Sequence, residues 1–163
     1  MKGPVLVTGG TGYIGGEIID RLLAEGYAVH TTVRHAAKSE ARLRARWPAA
    51  GDRLTVFSAD LLSDSGWAQA CDGCDAVAHV ASPFPLDVPK NADDLIIPAR
   101  DGTLRVLQFA HEAGITRFVQ TSSAAAIAYG QPGKDHFDYT DWTDLTTNPA
   151  PYIQSKTVAE RAA

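Results

Sequence analysis

Residues 8–15 read TGGTGYIG, directly after a short apolar run at 5–8 and directly before apolar residues at helical spacing. The pyrophosphate of a dinucleotide needs a backbone that turns sharply after a strand, approaches closely and presents unpaired helix N–H groups. Glycine meets these needs because it has no Cβ. Two phosphate-binding spacings fit, Gly10-Gly12-Gly15 and Gly9-Gly12-Gly15, so the spacing alone does not choose a subfamily. The order of strand, glycines and helix predicts a dinucleotide-binding turn.

The rest of the chain alternates short β-rich runs with longer amphipathic segments, which favours βαβ units and a parallel sheet. The central runs contain few charges, as expected of strands that are covered on both faces. We predict an α/β fold, a doubly wound parallel sheet of Rossmann type, with strands at 5–8, 28–33, 54–58, 76–80 and 117–121.

Helices are predicted from apolar spacing and from start and stop residues. The first follows the glycine turn, and the others lie at 39–46, 65–70, about 98–113 and from Pro151 onward. Pro98 is expected in the first turn of its helix. The residues of that helix expected to face inward are Leu104, Val106, Leu107 and Ala110. Segments 82–89, with three prolines, and 130–151 are predicted loops.

The composition of the chain narrows the possible functions. It has 163 residues and a formal charge of -4, which fits one ordinary domain and disfavours nucleic-acid binding driven by bulk charge. No apolar run approaches the roughly 20 residues that a bilayer span requires, and the N-terminus lacks a signal-peptide pattern. We therefore expect a cytoplasmic protein with no membrane partner. Cys71 and Cys74 are too few for a four-ligand zinc site or a disulfide framework, so no metal is predicted.

The end of the second strand indicates which nucleotide binds. An acidic residue there would accept a hydrogen bond from the ribose 2′-hydroxyl of NAD, but residues 27–39 contain no Asp or Glu. They offer Arg34, His35 and Lys38, and a guanidinium at Arg34 suits a 2′-phosphate. NADP is therefore favoured over NAD, the alternative being that Arg34 is an ordinary solvated charge. Asp60, after the third strand, is either an acceptor for the adenine amino group or a helix N-cap.

Tyr152 and Lys156 are four residues apart on the last predicted helix, which places both side chains on one face. A tyrosine with an ordinary pKa of about 10 is a poor acid at neutral pH, and an adjacent ammonium favours its phenolate. The pair therefore forms an acid/base device. The fifth strand ends in Thr121-Ser122-Ser123, at the sheet edge where such folds bind ligands. A serine hydroxyl there can hold a carbonyl oxygen, although for Ser122 a bond to nearby backbone is the preferred interpretation.

These features together resemble the extended short-chain dehydrogenases/reductases, the NAD-dependent epimerase/dehydratase family, and within it the dihydroflavonol reductase and cinnamoyl-CoA reductase type. The matching segments span the whole sequence. They are TGGTGYIGG at 8–16, TTVR at 31–34, ADL at 59–61, HVASP at 79–83, TSSA at 121–124, DWTD at 141–144 and YIQSKTVAE at 152–160.

The resemblance implies a hydride transfer from NADPH to a ketone, aldehyde or thioester carbonyl. In that scheme Ser123 holds the carbonyl oxygen, Tyr152 protonates it, and Lys156 both acidifies the tyrosine and bonds the nicotinamide ribose. The 2′-phosphate lies on Arg34. The remaining residues implied to contact the cofactor are Gly9, Gly12, Tyr13, Ile14, Gly15, Asp60, Leu61, Val80, Ala81, Ser82 and Thr121.

Some positions qualify the resemblance. Ala128 stands where dihydroflavonol reductases carry an asparagine, which argues against a flavonoid substrate. Tyr129-Gly130 resembles the Tyr-Gly pair that follows this strand in sugar-nucleotide enzymes. His79 is expected to be a core residue, and Cys74 a packed thiol. Family members are about twice as long, so residues 1–163 are expected to form the NAD(P)-binding domain with its catalytic residues, truncated before a substrate lobe. The resemblance also implies homodimers built from the fourth and last helices.

Two other functions remain open. One is a nucleotide-sugar epimerase or dehydratase with tightly held NAD. The other is a catalytically silent dinucleotide sensor, which would need none of Ser123, Tyr152 and Lys156.

Overall fold

A computed structural model describes residues 3–84, 89 and 91–163. Within them, five parallel strands form one sheet in the order β3-β2-β1-β4-β5. The strands are β1 (Val5–Thr8), β2 (Val29–Val33), β3 (Leu54–Ser58), β4 (Ala76–His79) and β5 (Phe118–Gln120). Strand order reverses between β1 and β4, the switch point where doubly wound sheets bind nucleotides. The predicted α/β class with a doubly wound parallel sheet is confirmed.

The helices lie between and after the strands. They are α1 (Tyr13–Ala24), α2 (Ala36–Arg46), α3 (Trp67–Cys71), α4 (Asp93–Glu112) and α5 (Pro151–Ala162). Short 3-10 turns occur at Pro48–Arg53, Ala124–Ala126 and Leu145–Thr147. Among the described residues no helix is both long enough and apolar enough to cross a bilayer.

Two apolar clusters cover the sheet. Leu6 belongs to the cluster with Trp67 and Val106, whereas Val7 belongs to the cluster with Ile19 and Leu43. Because consecutive strand residues point to opposite faces, the two clusters lie on opposite sides of β1. Both faces are therefore buried, which explains the scarcity of charges in the central strands.

Helix α4 corrects two predictions. It begins at Asp93, so Pro98 lies inside the helix and not in its first turn. The start signal is Asn91, whose side chain accepts a hydrogen bond from the Asp93 amide at 3.1 Å. Leu104 is exposed, because the buried stripe follows Ala99, Thr103, Val106 and Ala110 at intervals of four, three and four residues.

The described parts of both predicted loops are irregular. Residues 82–84 and 89 have no regular structure, and residues 85–88 of that prediction lie outside the described residues. Segment 130–150 is irregular apart from the turn at Leu145–Thr147.

The chain divides into two compact units. The first unit contains residues up to Ala81 together with Arg105–Thr121, and the second contains Ser82–Leu104 and Ser122–Ala163. The sheet and both apolar clusters lie in the first unit.

Candidate active site

The glycine turn has a tightly packed backbone. Gly9 has a φ of 75°, which side chains rarely adopt, and a Cβ added there would lie 3.3 Å from the Cα of Ala81. A Cβ on Gly15 would lie 2.5 Å from the carbonyl oxygen of Gly9. The Gly12 amide donates to that same oxygen at 2.9 Å. Glycine is therefore required at 9 and 15 by the packing of the turn itself.

Gly12 differs, and its surroundings test whether a nucleotide fits. It is the N-cap of α1, with a φ of -78° that any residue adopts, and an added Cβ would meet only the Gly9 oxygen, at 3.3 Å. No side chain caps the helix, and its first turn contains no acidic residue. The uncapped N–H groups and the helix dipole favour an anion at this end, and the absent Cβ leaves room for it to approach. The turn thus fits a pyrophosphate.

Tyr13 and Ile14, two of the expected cofactor contacts, begin α1. Tyr13 is 83% exposed and Ile14 is 49% exposed, although both are apolar residues on an otherwise amphipathic helix. The buried stripe of α1 runs instead through Gly15, Gly16, Ile19 and Leu23. Tyr13 and Ile14 are therefore free of the core and accessible at the uncapped end of the helix.

The Thr8 hydroxyl connects the glycine turn to the segment after β4. It accepts hydrogen bonds from the amides of Val80 and Ala81, each at 2.9 Å, and lies 2.9 Å from Nδ1 of His79. Because its oxygen accepts two N–H groups, its own proton is directed at the imidazole nitrogen. His79 is 3% exposed, so the expectation of a core histidine agrees with its position. Val80 and Ala81, both expected to line the ribose, are held in place by this network.

Thr121 follows the end of β5. Its amide donates to the carbonyl oxygen of His79 at 2.8 Å. This bond fixes Thr121 at the carboxyl edge of the sheet, one residue beyond the last strand position.

Asp60 and Leu61, the residues expected to contact adenine, lie in a turn after β3. Asp60 Oδ1 accepts from the Leu62 amide at 2.9 Å, whereas α3 begins at Trp67 with Gly66 as its N-cap. Asp60 therefore caps a turn. The alternative interpretation, in which Asp60 is a helix N-cap, is wrong, because the N-cap of α3 is Gly66. The indole of Trp67 donates to the Asp60 carbonyl at 3.1 Å, and Arg105 Nη1 donates to that of Leu61 at 2.5 Å.

Arg34 directly follows β2 and is exposed, as a ligand for a 2′-phosphate must be. The structure adds Arg42, which sequence reasoning missed. Its Nη2 donates to the Thr11 carbonyl in the glycine turn at 3.4 Å. The signal was weak, because Arg42 is one of four arginines between residues 42 and 53. The segment before Arg34 also contacts the turn, since the Thr32 carbonyl accepts from the amides of Gly9 and Gly10.

The second unit brings together three predicted side chains. Tyr152 lies in the first turn of α5, after Pro151, and Lys156 lies one turn later. Lys156 Nζ is 5.7 Å from the ring centroid of Tyr152 and donates a hydrogen bond of 2.8 Å to Ser82 Oγ. The ring of Phe84 meets that of Tyr152 edge-on, with centroids 5.5 Å apart. The pair predicted from the four-residue spacing therefore has a third member, Ser82.

Lys156 is half-buried, and burial lowers the pKa of its ammonium below the ordinary value because a charge is less stable away from water. The carboxylate of Glu160, one turn further along α5, opposes that shift. The site therefore contains a cation whose proton is held less tightly than that of a solvated lysine.

Ser123 is the N-cap of the 3-10 turn Ala124–Ala126. Its Oγ accepts a hydrogen bond from the Ala125 amide at 3.1 Å, so a lone pair is engaged while its proton is available to an acceptor. Ser122 is exposed. The bond to nearby backbone that was expected for Ser122 is thus made by Ser123.

The two cysteines are buried and free. Burial raises the pKa of Cys71 to about 11 and that of Cys74 to about 12. Among the described residues, no group of three or more His, Cys, Asp or Glu side chains could hold a metal ion.

Comparison with known proteins supplies the context for this geometry. A sequence model described as the NAD dependent epimerase/dehydratase family matches residues 5–163. Vestitone reductase of Medicago sativa is 36% identical over 170 residues, covering 99% of this chain and 52% of that protein. Dihydroflavonol 4-reductase of Hordeum vulgare is 35% identical, covering 99% and 48%. The chain thus spans about half the length of the curated relatives it matches.

A solved structure shows the same fold. Yeast methylglyoxal/isovaleraldehyde reductase Gre2, in a crystal structure complexed with NADPH, matches with a TM-score of 0.84 and 28% identity. The match covers 98% of this chain and 51% of that one.

Proposed function

This chain belongs to the NAD dependent epimerase/dehydratase family, as its motifs predicted, and we propose that it forms the nucleotide-binding and catalytic part of an NADPH-dependent carbonyl reductase. Its relatives are named as reductases, and a structural neighbour holds NADPH. The observation that carries the proposal is the arrangement of Tyr152, Lys156 and Ser82 in the second unit.

The nucleotide is proposed to lie on the first unit. Its pyrophosphate would lie at the uncapped N-terminus of α1, over Gly9, Gly12 and Gly15, where helix N–H groups and absent side chains favour an anion. Asp60, Leu61, Val80, Ala81 and Thr121 would hold the adenosine and the ribose. Ser82, the remaining proposed ribose contact, belongs to the second unit, where its hydroxyl accepts from the Lys156 ammonium.

The proposed preference for NADPH rests on Arg34 and Arg42. Both guanidinium groups are exposed, and residues 27–39 contain no carboxylate that would repel a phosphate or bond a free 2′-hydroxyl. Arg42 contacts the glycine turn itself through the carbonyl of Thr11. A 2′-phosphate would make charge-assisted hydrogen bonds with such groups, which are about twice as strong as neutral ones.

The proton side of the reaction is assigned to the second unit. When bound, NADPH supplies a hydride to the carbonyl carbon. Ser123 donates a hydrogen bond to the carbonyl oxygen, since its own oxygen is already engaged by the Ala125 amide. Tyr152 donates its proton to that oxygen as the carbon–oxygen π bond breaks, and the phenolate that remains is stabilised by the Lys156 ammonium. The product is an alcohol, or a hemithioacetal where the substrate is a thioester.

A direct test compares the two nucleotides in equilibrium binding. We expect NADPH to bind at least about tenfold more tightly than NADH, and Arg34→Ala to remove most of that preference. Arg44→Ala is the matched control. Arg44 is an exposed arginine of α2, but its guanidinium pairs with the Glu40 carboxylate at 2.8 Å. Equal affinity of the wild type for NADPH and NADH would contradict the assignment of Arg34.

The family description supports a second candidate, a nucleotide-sugar epimerase or dehydratase with tightly bound NAD. Tyr129-Gly130, similar to the sequence of sugar-nucleotide enzymes, favours it. The two candidates differ in what purifies with the protein. A reductase exchanges its nucleotide freely and consumes NADPH with a carbonyl substrate, whereas an epimerase retains NAD and shows no net consumption.

A further inference from the structure

The loop residue Thr143 makes three hydrogen bonds to the segment that follows Ser123. Its hydroxyl donates to the Ala125 carbonyl at 2.7 Å and accepts from the Tyr129 amide at 3.0 Å. Its own amide donates to the Ala126 carbonyl at 2.8 Å. Thr143 is fully buried, with 0% of its surface exposed, so each of these bonds is shielded from water.

Thr143 holds the carbonyls of the same two residues, Ala125 and Ala126, whose amides donate to Ser123. The Ala125 amide donates to Ser123 Oγ at 3.1 Å, and the Ala126 amide donates to the Ser123 carbonyl at 2.9 Å. Ala125 is therefore fixed at both ends, through its N–H by Ser123 and through its C=O by Thr143. Displacing Ala125 from this position would move the N–H that faces Ser123 Oγ and so redirect the free proton of that hydroxyl.

A second threonine joins the same carbonyl to the helix of Tyr152 and Lys156. Thr157, 0% exposed on α5, lies 3.4 Å from the Ala125 carbonyl oxygen and 2.8 Å from that of Ile153. The Thr157 hydroxyl donates mainly to Ile153, because that hydrogen bond is much shorter. Thr143 is therefore the stronger donor to the Ala125 carbonyl.

We propose that Thr143 is a positioning residue, which fixes the direction of the Ser123 hydroxyl by holding residue Ala125 in place. This inference rests on the proposed function, since it assigns Thr143 an effect on the reaction through Ser123. Thr143 does not touch the reacting atoms in this scheme. Thr143 instead restricts the Ser123 hydroxyl to one orientation. A hydrogen-bond donor that is already oriented stabilises the negative charge that develops on a carbonyl oxygen.

The test measures kcat, KM and NADPH affinity in the natural protein for Thr143→Val and Thr143→Ser. Valine keeps the shape and loses the hydroxyl, so we expect kcat to fall about tenfold, with NADPH affinity changed by less than about twofold. Serine keeps the hydroxyl and restores kcat to within about threefold of the wild type. Thr147→Val is the matched control, because the Thr147 hydroxyl donates within its own turn, to the Asp144 carbonyl at 2.7 Å, and not to the segment after Ser123.

A double mutant separates positioning from a general loss of structure. Ser123→Ala is expected to lower kcat about 100-fold, and adding Thr143→Val to it should lower kcat by less than about twofold more. An equal loss in both backgrounds, or no loss in Thr143→Val alone, would overturn the role of Thr143 while leaving the proposed function intact. Full activity of Ser123→Ala would overturn the role of Ser123 in the proposed function, and this inference with it.

An NMR measurement on the wild type keeps the inference testable if Thr143→Val does not fold. The geometry requires a slowly exchanging Thr143 hydroxyl proton and a protected Tyr129 amide with a cross-relaxation signal to Thr143. Rapid exchange of the Tyr129 amide would overturn the clamp.

Discussion

Lys156 Nζ donates a 2.8 Å hydrogen bond to Ser82 Oγ, and its half-buried ammonium lies 5.7 Å from the ring centroid of Tyr152. This contact joins two of the sequence motifs, HVASP and YIQSK, in one cluster. It places a cation where the proposed reaction needs one.

The buried ammonium of Lys156 has a consequence for stability. Burial lowers its pKa from 10.5, so between the lowered value and 10.5 the unfolded chain binds more protons than the folded chain. The free energy of unfolding contributed by Lys156 therefore rises with pH in that window. We expect Lys156→Met to lose this rise in urea titrations from pH 7 to pH 10. A constant difference between variant and wild type across that range would contradict the burial of the charge.

Gly12 and Gly15 are expected to respond differently to alanine. An alanine Cβ at Gly15 would lie 2.5 Å from the Gly9 carbonyl oxygen, so Gly15→Ala should lower the free energy of unfolding by about 2 kcal/mol. At Gly12 the nearest atom is at 3.3 Å, so Gly12→Ala should fold with nearly wild-type stability but weaken NADPH binding at least about tenfold. Calorimetric titration and chemical denaturation measure the two effects. Unimpaired NADPH binding by Gly12→Ala would place the pyrophosphate elsewhere.

The Thr8 hydroxyl is expected to stabilise the carboxyl ends of β1 and β4. Thr8→Val leaves the Val80 and Ala81 amides without their acceptor and should lower the free energy of unfolding by about 2 kcal/mol. Thr8→Ser keeps the acceptor and should lose about 1 kcal/mol or less, mainly from the missing methyl group. The comparison is made by urea denaturation. If the two variants are equally stable, the hydroxyl network has no energetic role.

Cys71 and Cys74 should be inert in the folded chain. With pKa values of about 11 and about 12, their thiolate fraction at pH 8 is very small. We expect alkylation to be at least about 100-fold slower than in the chain unfolded in guanidinium chloride. Both folded pKa values lie above the unfolded value of about 8.5, so above that pH the unfolded chain loses thiol protons that the folded chain keeps. The free energy of unfolding therefore falls as pH rises above about 8.5. Rapid labelling of the native protein would show that the thiols are accessible.

The sequence predicted those parts of the molecule that depend on local pattern. Strands β1 and β3 have the predicted bounds, and the others differ by a residue at one or both ends, because short β-rich apolar runs between turn residues mark buried strands sharply. The start of α4 was wrong because Pro98 was taken as a first-turn residue. The true start is Asp93, five residues before the predicted start near Pro98, and the Asn91 side chain that accepts from the Asp93 amide marks it.

The candidate site was predictable only where its residues are neighbours in sequence. The spacing of Tyr152 and Lys156 on one helix placed that pair, but the bond from Lys156 to Ser82 joins residues 74 positions apart. The bonds from Thr143 to the Ala125 carbonyl and from the Ala81 amide to the Thr8 hydroxyl likewise depend on how distant segments pack. A single sequence contains no signal for such contacts, since a threonine in a loop has no periodicity to reveal its partner.

Tyr152 is proposed to protonate the carbonyl oxygen, and Tyr152→Phe tests this step with the least disturbance. Phenylalanine keeps the ring that meets Phe84 at 5.5 Å, so folding and NADPH affinity should stay within about twofold of the wild type. When the natural protein carries Tyr152→Phe, single-turnover oxidation of NADPH by a carbonyl substrate should be about 1,000-fold slower than in the wild type. Unchanged NADPH oxidation by Tyr152→Phe, with affinity intact, would contradict the account.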